Sequence, residues 1–151
     1  MNTTFSTDST VNTTPLKIDS ALSAQVQVVG DSLRAKGWSV SCAESCTGGG
    51  IAFAFTSVSG SSDWFNQSWI TYSNDAKKRT LGVSEQTLQE FGAVSKQTVK
   101  EMAEGVRRNS GAQLVVTVSG IAGPGGGSEE KPVGTVWFGF MCGAMSEQIK
   151  Q

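Results

Sequence analysis

Three short segments of this 151-residue chain hold residue types that could do chemistry. The first is AESCTGGG at 43–50, where Ser45 and Cys46 are possible nucleophiles and three glycines follow. A serine at a strand-to-helix turn presents its hydroxyl beyond the sheet edge. The amides of the following helix N-terminus can then stabilise an oxyanion or hold a phosphate. Glycines 48–50 let a ligand come close to the backbone. The second segment is TYSNDAKKR at 71–79, in which Tyr72 ends a strand and Lys77 lies in the first turns of a helix. A lysine kept partly neutral by burial can take a proton from a serine hydroxyl, and a tyrosine can relay one. The third is SGIAGPGGGSEEKPVGTV at 119–136, whose six glycines and two prolines exclude regular structure. Its place between two strong strands suggests an ordered binding loop rather than a linker. It fits neither the Walker-type phosphate loop nor the dinucleotide-binding glycine pattern. Each segment also has a plainer reading. Ser45 or Thr47 could simply cap a helix, and residues 77–79 could be a solvated charged face.

The chain contains no histidine. That excludes a Ser-His-Asp or Cys-His unit and the usual histidine-based catalytic zinc site within this polypeptide. Acid–base work must fall to Lys, Tyr, Asp, Glu or Cys, and no metal or other cofactor is called for. A Cys46 thiolate beside a helix N-terminus is conceivable but ranks below serine without a histidine partner. Cys42 reads as packed in a strand, and Trp64 and Trp69 as core residues that could otherwise stack on an aromatic ring. The net charge of −1 and pI near 5.4 supply no global field for a polyanion, so nucleic acid is not an expected partner. No apolar run is long enough to span a membrane. The polar start, MNTTFSTDSTVNTTPLKIDS, lacks the basic and apolar regions of a secretory signal. Three cysteines without a CxxC pair point to reduced thiols in the cytosol.

Elements that could position these residues follow from periodicity. Residues 1–17 read as a flexible tail and 18–151 as one domain. Leu22, Val26, Val29 and Leu33 recur at helical spacing, with Gly37 as a C-terminal stop. Residues 38–43 alternate like a strand, 51–55 open a helix, and 66–73 have strand composition. Asn74 is the expected cap of a helix over 75–81, stopped by Gly82, and a short helix follows from Ser84 to about Gly92. Residues 95–109 form an amphipathic helix with Val99, Met102, Ala103 and Val106 on one face. Residues 113–118 and 133–141 are the remaining strands. Alternating strands and helices imply a three-layer α/β/α sandwich on a mostly parallel, mixed sheet, with the glycine-rich turns at its carboxyl edge, where ligands of open α/β sheets bind.

Taken together, AESCTGG (43–49), GSSDWF (60–65), TYSNDAK (71–77), GAVS (92–95) and SGIAGPGGGSEEKPVGTVWFG (119–139) resemble the CinA C-terminal-domain family, in order and in register over roughly 20–141. Its stand-alone members look like bacterial nicotinamide-nucleotide amidohydrolases. The resemblance implies hydrolysis of the carboxamide of nicotinamide mononucleotide to nicotinate mononucleotide and ammonia in pyridine-nucleotide recycling. It places Ser45 as nucleophile and Tyr72 and Lys77 as its activating partners. The amides of Thr47 and Gly48, with Gly49 beside them, would form the oxyanion hole. The loop at 120–127, through Gly120, Ala122, Gly123 and Gly126, would shape the ribose-phosphate pocket. Family members usually continue into a segment like F-x-G-D-R-x-x-V-R and a final helix, whereas this sequence stops at Gln151 after MSEQIKQ. The expectation is an exposed apolar sheet face, which makes a homodimer plausible, and a missing phosphate anchor. The alternative keeps the fold without the chemistry: a non-catalytic nucleotide-binding or assembly module linked to competence or DNA damage.

Overall fold

Strand β1 (Val40–Glu44) is buried along its whole length, and the rest of the domain is arranged around it. The computed structural model describes residues 16–151, so most of the proposed N-terminal tail lies outside the described residues. Helix α1 (Ser20–Lys36) starts where the Asp19 side chain accepts from the Leu22 amide and ends at Gly37 with φ 62°. Its buried stripe is Val26, Gly30 and Leu33. Leu22 and Val29 are instead exposed, because Gly30 lets the helix close onto the Trp64 indole. A Cβ at Gly30 would lie 2.7 Å from that ring. Helix α2 (Gly50–Thr56) and strand β2 (Phe65–Ile70) follow. The expected strand to residue 73 stops at Ile70, and Ser73 rather than Asn74 caps α3 (Asn74–Leu81), accepting from the Ala76 amide. Helices α4 (Glu85–Phe91) and α5 (Lys96–Ser110) are capped by Ser84 and Ser95.

Strands β3 (Leu114–Gly120), β4 (Val136–Cys142) and β5 (Met145–Lys150) complete a five-stranded sheet in the order β2-β1-β3-β4-β5. It is mixed: β1 pairs in parallel with β2 and β3, while β3–β4 and β4–β5 are antiparallel. Residues 133–135 precede β4 rather than belonging to it, and β5 is an addition to the expected elements. Its sequence, MSEQIK, is mostly polar and exposed, and it joins β4 through main-chain pairing across a two-residue turn with Gly143 at φ 56°.

Helices cover both sheet faces, making three layers. Val26, Leu33, Val40, Ala54, Val58 and Trp64 form the core under α1 and α2. Trp64 is fully buried and meets Phe55 edge to face at 5.7 Å. Its truncation to alanine would cost about 3–5 kcal/mol. Leu81, Val99, Met102, Val106 and Val115 form the core on the α3–α5 side. Alternation along β1 divides its side chains: Val40, Cys42 and Glu44 face α2, while Ser41 and Ala43 face α5. No described helix is long and apolar enough to cross a membrane.

Candidate active site

Ser45 leaves β1 at its carboxyl end, where its amide donates to the Val118 carbonyl of β3 at 3.1 Å. Lys77 comes from the first turn of α3, whose start is set by the Ser73 cap. The chain from β2 to α3 passes beside β1, since the Thr71 amide donates to the Glu44 carbonyl at 2.8 Å. These two anchors bring residues 32 apart in sequence together: Lys77 Nζ lies 3.0 Å from Ser45 Oγ.

The lysine is fully buried. Its Nζ also donates to the carbonyls of Thr71 at 2.8 Å and Tyr72 at 3.1 Å. Burial pulls its pKa down from 10.5 to about 8, because a desolvated ammonium is disfavoured and the nearby groups offset little of that. At pH 7 about one lysine in ten is then the neutral amine. In that form two N–H bonds are held by the two carbonyls and the lone pair faces Ser45 Oγ. This is the arrangement a general base for a hydroxyl needs.

Tyr72 is present in a different manner from the one its type suggested. Its main-chain carbonyl accepts from Lys77 and, at 3.4 Å, from Ser45 Oγ. Its side chain is 71% exposed and makes no hydrogen bond to either residue. Cys46 is half-buried and burial raises its pKa, so it remains a thiol rather than a competing thiolate.

The turn over 45–52 can be accounted for amide by amide. Gly48 donates to the Ser45 carbonyl and Gly50 to that of Thr47. Gly49, Ile51 and Ala52 donate to the Glu44 carboxylate. The Gly48 amide is therefore engaged within the turn, 3.1 Å from the Ser45 carbonyl. Cys46 and Thr47 are the two amides of this turn without an oxygen acceptor, and both lie against the Cys46 thiol. Gly49, at φ 107°, sits against Ile70, where a Cβ would come within 3.2 Å. The α2 N-terminus is likewise closed to a phosphate, since Glu44 already occupies its amides.

Gly120 closes onto the 45–52 turn, and a Cβ there would lie 3.0 Å from Cys46 Sγ. Ala122, Gly123 and Gly126 lie farther along the loop. Gly123 and Gly126 take positive φ and pack near Val133 and Ile121 rather than near the Ser45–Lys77 pair. Two surface clefts lie elsewhere. One is lined by Leu114, Phe140, Cys142 and Met145, and another by Lys96, Lys131, Trp137 and Lys150. Sequence reasoning missed Glu44, although a signal was present: a carboxylate on the same side of a buried strand as Val40 and Cys42, one residue before the candidate nucleophile.

The sequence matches the family model of the CinA C-terminal domain over residues 22–151. It is 64% identical over 112 residues to the nicotinamide-nucleotide amidohydrolase PncC of Enterobacter agglomerans, a match covering 74% of this chain and 68% of that protein. To the protein of the same name from Escherichia coli K12 it is 53% identical over 122 residues, covering 81% and 74%. The fold matches the crystal structure of the competence/damage inducible protein CihA from Agrobacterium tumefaciens with a TM-score of 0.83 and 42% identity, covering 91% of this chain and 82% of that one. A CinA-superfamily protein from Escherichia coli superposes with a TM-score of 0.84 at 28% identity, over 90% and 80%.

Proposed function

This chain belongs to the CinA C-terminal domain family, and on that premise we propose that it is an amidohydrolase that converts nicotinamide mononucleotide to nicotinate mononucleotide and ammonia. The observation that carries the chemistry is a buried lysine, its pKa lowered to about 8, set 3.0 Å from a serine hydroxyl at the carboxyl edge of the sheet. The names of the relatives at 64% and 53% identity support the substrate.

In the proposed reaction neutral Lys77 takes the Ser45 proton as Oγ bonds to the carboxamide carbon. The amides of Cys46 and Thr47 receive the oxyanion. Lys77 then passes the proton to the departing nitrogen, the C–N bond breaks, and ammonia leaves a nicotinoyl ester on Ser45. Water attacks that ester, giving its proton to Lys77, which returns it to Ser45 Oγ as the acid is released. No step calls on a metal. The Tyr72 carbonyl holds the lysine, and its phenol at the mouth is free to meet the substrate and relay a proton once it swings inward. Gly120 and the loop beyond it shape the sugar-phosphate side of the pocket. Three free cysteines accord with a cytosolic location.

The test is ammonia release from nicotinamide mononucleotide by purified protein beside Ser45→Ala. Release is expected from the first and none from the variant, with the melting temperature within a few degrees. Equal release from both would show that Ser45 is not the nucleophile, and release from neither would favour the non-catalytic module.

A further inference from the structure

The Glu44 carboxylate is fully buried and has no cationic partner among the described residues. It is compensated instead by hydrogen-bond donors from the segment that follows the nucleophile. The Thr47 hydroxyl donates to Oε2 at 2.5 Å, and the Gly49 and Ile51 amides donate to the same oxygen at 3.1 Å. The Ala52 amide donates to Oε1 at 2.8 Å, and Cys42 Sγ lies 3.8 Å from that oxygen. The thiol of Cys42 is pushed up to about 12, chiefly by burial and then by Glu44 itself, so it stays a neutral donor. A buried anion is retained at this cost only if its partners are held in place.

We propose that Glu44 is a positioning residue for the Ser45 reaction. It collects the Thr47 hydroxyl and the Gly49, Ile51 and Ala52 amides on one carboxylate, and so fixes the path of the turn that begins at Ser45 and carries the Cys46 and Thr47 amides next to it. A serine or threonine cap could not serve in its place, because one hydroxyl oxygen does not reach donors spread over six residues. Glutamine could not either, because its NH₂ would face a donor where the carboxylate has an acceptor. Aspartate keeps both acceptors but is one methylene short. The inference rests on Ser45 being the nucleophile and does not depend on which amide is the substrate.

The experiment compares the rate at which a fluorophosphonate labels Ser45, located by peptide mass, in the full chain and in Glu44→Gln, Glu44→Asp and Thr47→Val. The folded fraction of each is fixed by circular dichroism. Glu44→Gln is expected to slow labelling at least tenfold per folded molecule, Glu44→Asp to recover part of the rate, and Thr47→Val to slow it a few-fold. With nicotinamide mononucleotide, the Glu44→Gln loss should fall on kcat, with KM changed less than threefold. Labelling of Glu44→Gln at the unsubstituted rate, or a loss that only follows the folded fraction, would overturn the inference. If Glu44→Gln does not fold, Thr47→Val decides, and an unchanged rate there overturns it equally. Labelling without turnover of the nucleotide would remove the proposed substrate and leave the role of Glu44 standing. An unlabelled parent protein would remove both.

Discussion

Two glycine-rich segments meet at the carboxyl edge of this sheet, and they are built on opposite principles. The turn at 45–52 follows a fully buried strand, and its amides are claimed by a buried carboxylate, by its own carbonyls and by β3. The loop at 121–134 is mostly exposed, and a few main-chain bonds hold it, such as Gly134 N to the Ile121 carbonyl and Ser128 N to that of Lys131. The Lys131 ammonium ties it to the body by donating to the Phe91 carbonyl at 2.7 Å. Glycine content therefore does not tell the two segments apart. The turn is distinguished by what its backbone is fastened to: a desolvated anion on one side and a desolvated lysine on the other. Such fastening supplies the preorganisation that transition-state stabilisation needs. The exposed loop is suited to adapting around the rest of a ligand.

The largest effect should come from the lysine side of the turn. Lys77→Ala is expected to lower kcat by about 10²–10⁴-fold while KM changes little, as for loss of a general base. Near-normal turnover would make 77–79 a charged face with no part in the chemistry. In the unsubstituted protein kcat/KM should rise with pH through about 8 as Lys77 loses its proton, and a flat profile from pH 6.5 to 9 would contradict the assignment. The sign for stability follows from the same lowered pKa. Between about 8 and 10.5 the unfolded chain holds a proton that the folded chain has released, so this group adds stability as pH rises through that window and the gain is lost as pH falls back through 8.

Next in size is a direct comparison of the two segments by adding one methyl group. Gly49→Ala places a Cβ at φ 107° and 3.2 Å from Ile70, and should cost about 1–3 kcal/mol in denaturant unfolding together with most of the activity. Gly125→Ala, at a position with open space and no positive φ, should leave both nearly unchanged. Equal sensitivity at the two sites would erase the distinction between turn and loop. The smallest effect expected is that of Tyr72→Phe, a loss of about tenfold or less, because the contact Tyr72 makes with the pair is through its carbonyl. A loss as large as that of Lys77→Ala would show that the phenol carries the proton.

Much of the fold was legible because it is written locally. Gly37 and Gly82 stop helices where periodicity ends, and the apolar face of α5 announces its burial. The shift of the α3 cap from Asn74 to Ser73 is a one-residue matter, since either side chain can accept from an exposed amide. Strand β5 was not legible, because its stabilisation is main-chain pairing with β4 and leaves little hydrophobic trace in MSEQIK. The same limit applies at the site. Ser45 and Lys77 could be singled out by type and by position at strand and helix ends, whereas Glu44 lay just past the expected strand at 38–43 and drew no role.

The amino-acid sequence by itself determined the order of elements, the lack of any histidine among these 151 residues, and which serine and lysine stand at the sheet's carboxyl edge. These follow from residue type and short-range periodicity. Only the tertiary structure decided that Lys77 meets Ser45, that Tyr72 offers its carbonyl to the pair, and which donors of the turn gather on Glu44. Those outcomes depend on parallel pairing of β1 with β2 and β3 and on burial that desolvates Glu44 and Lys77 together. Both arise from contacts between residues distant in the chain, whose partners no local pattern encodes.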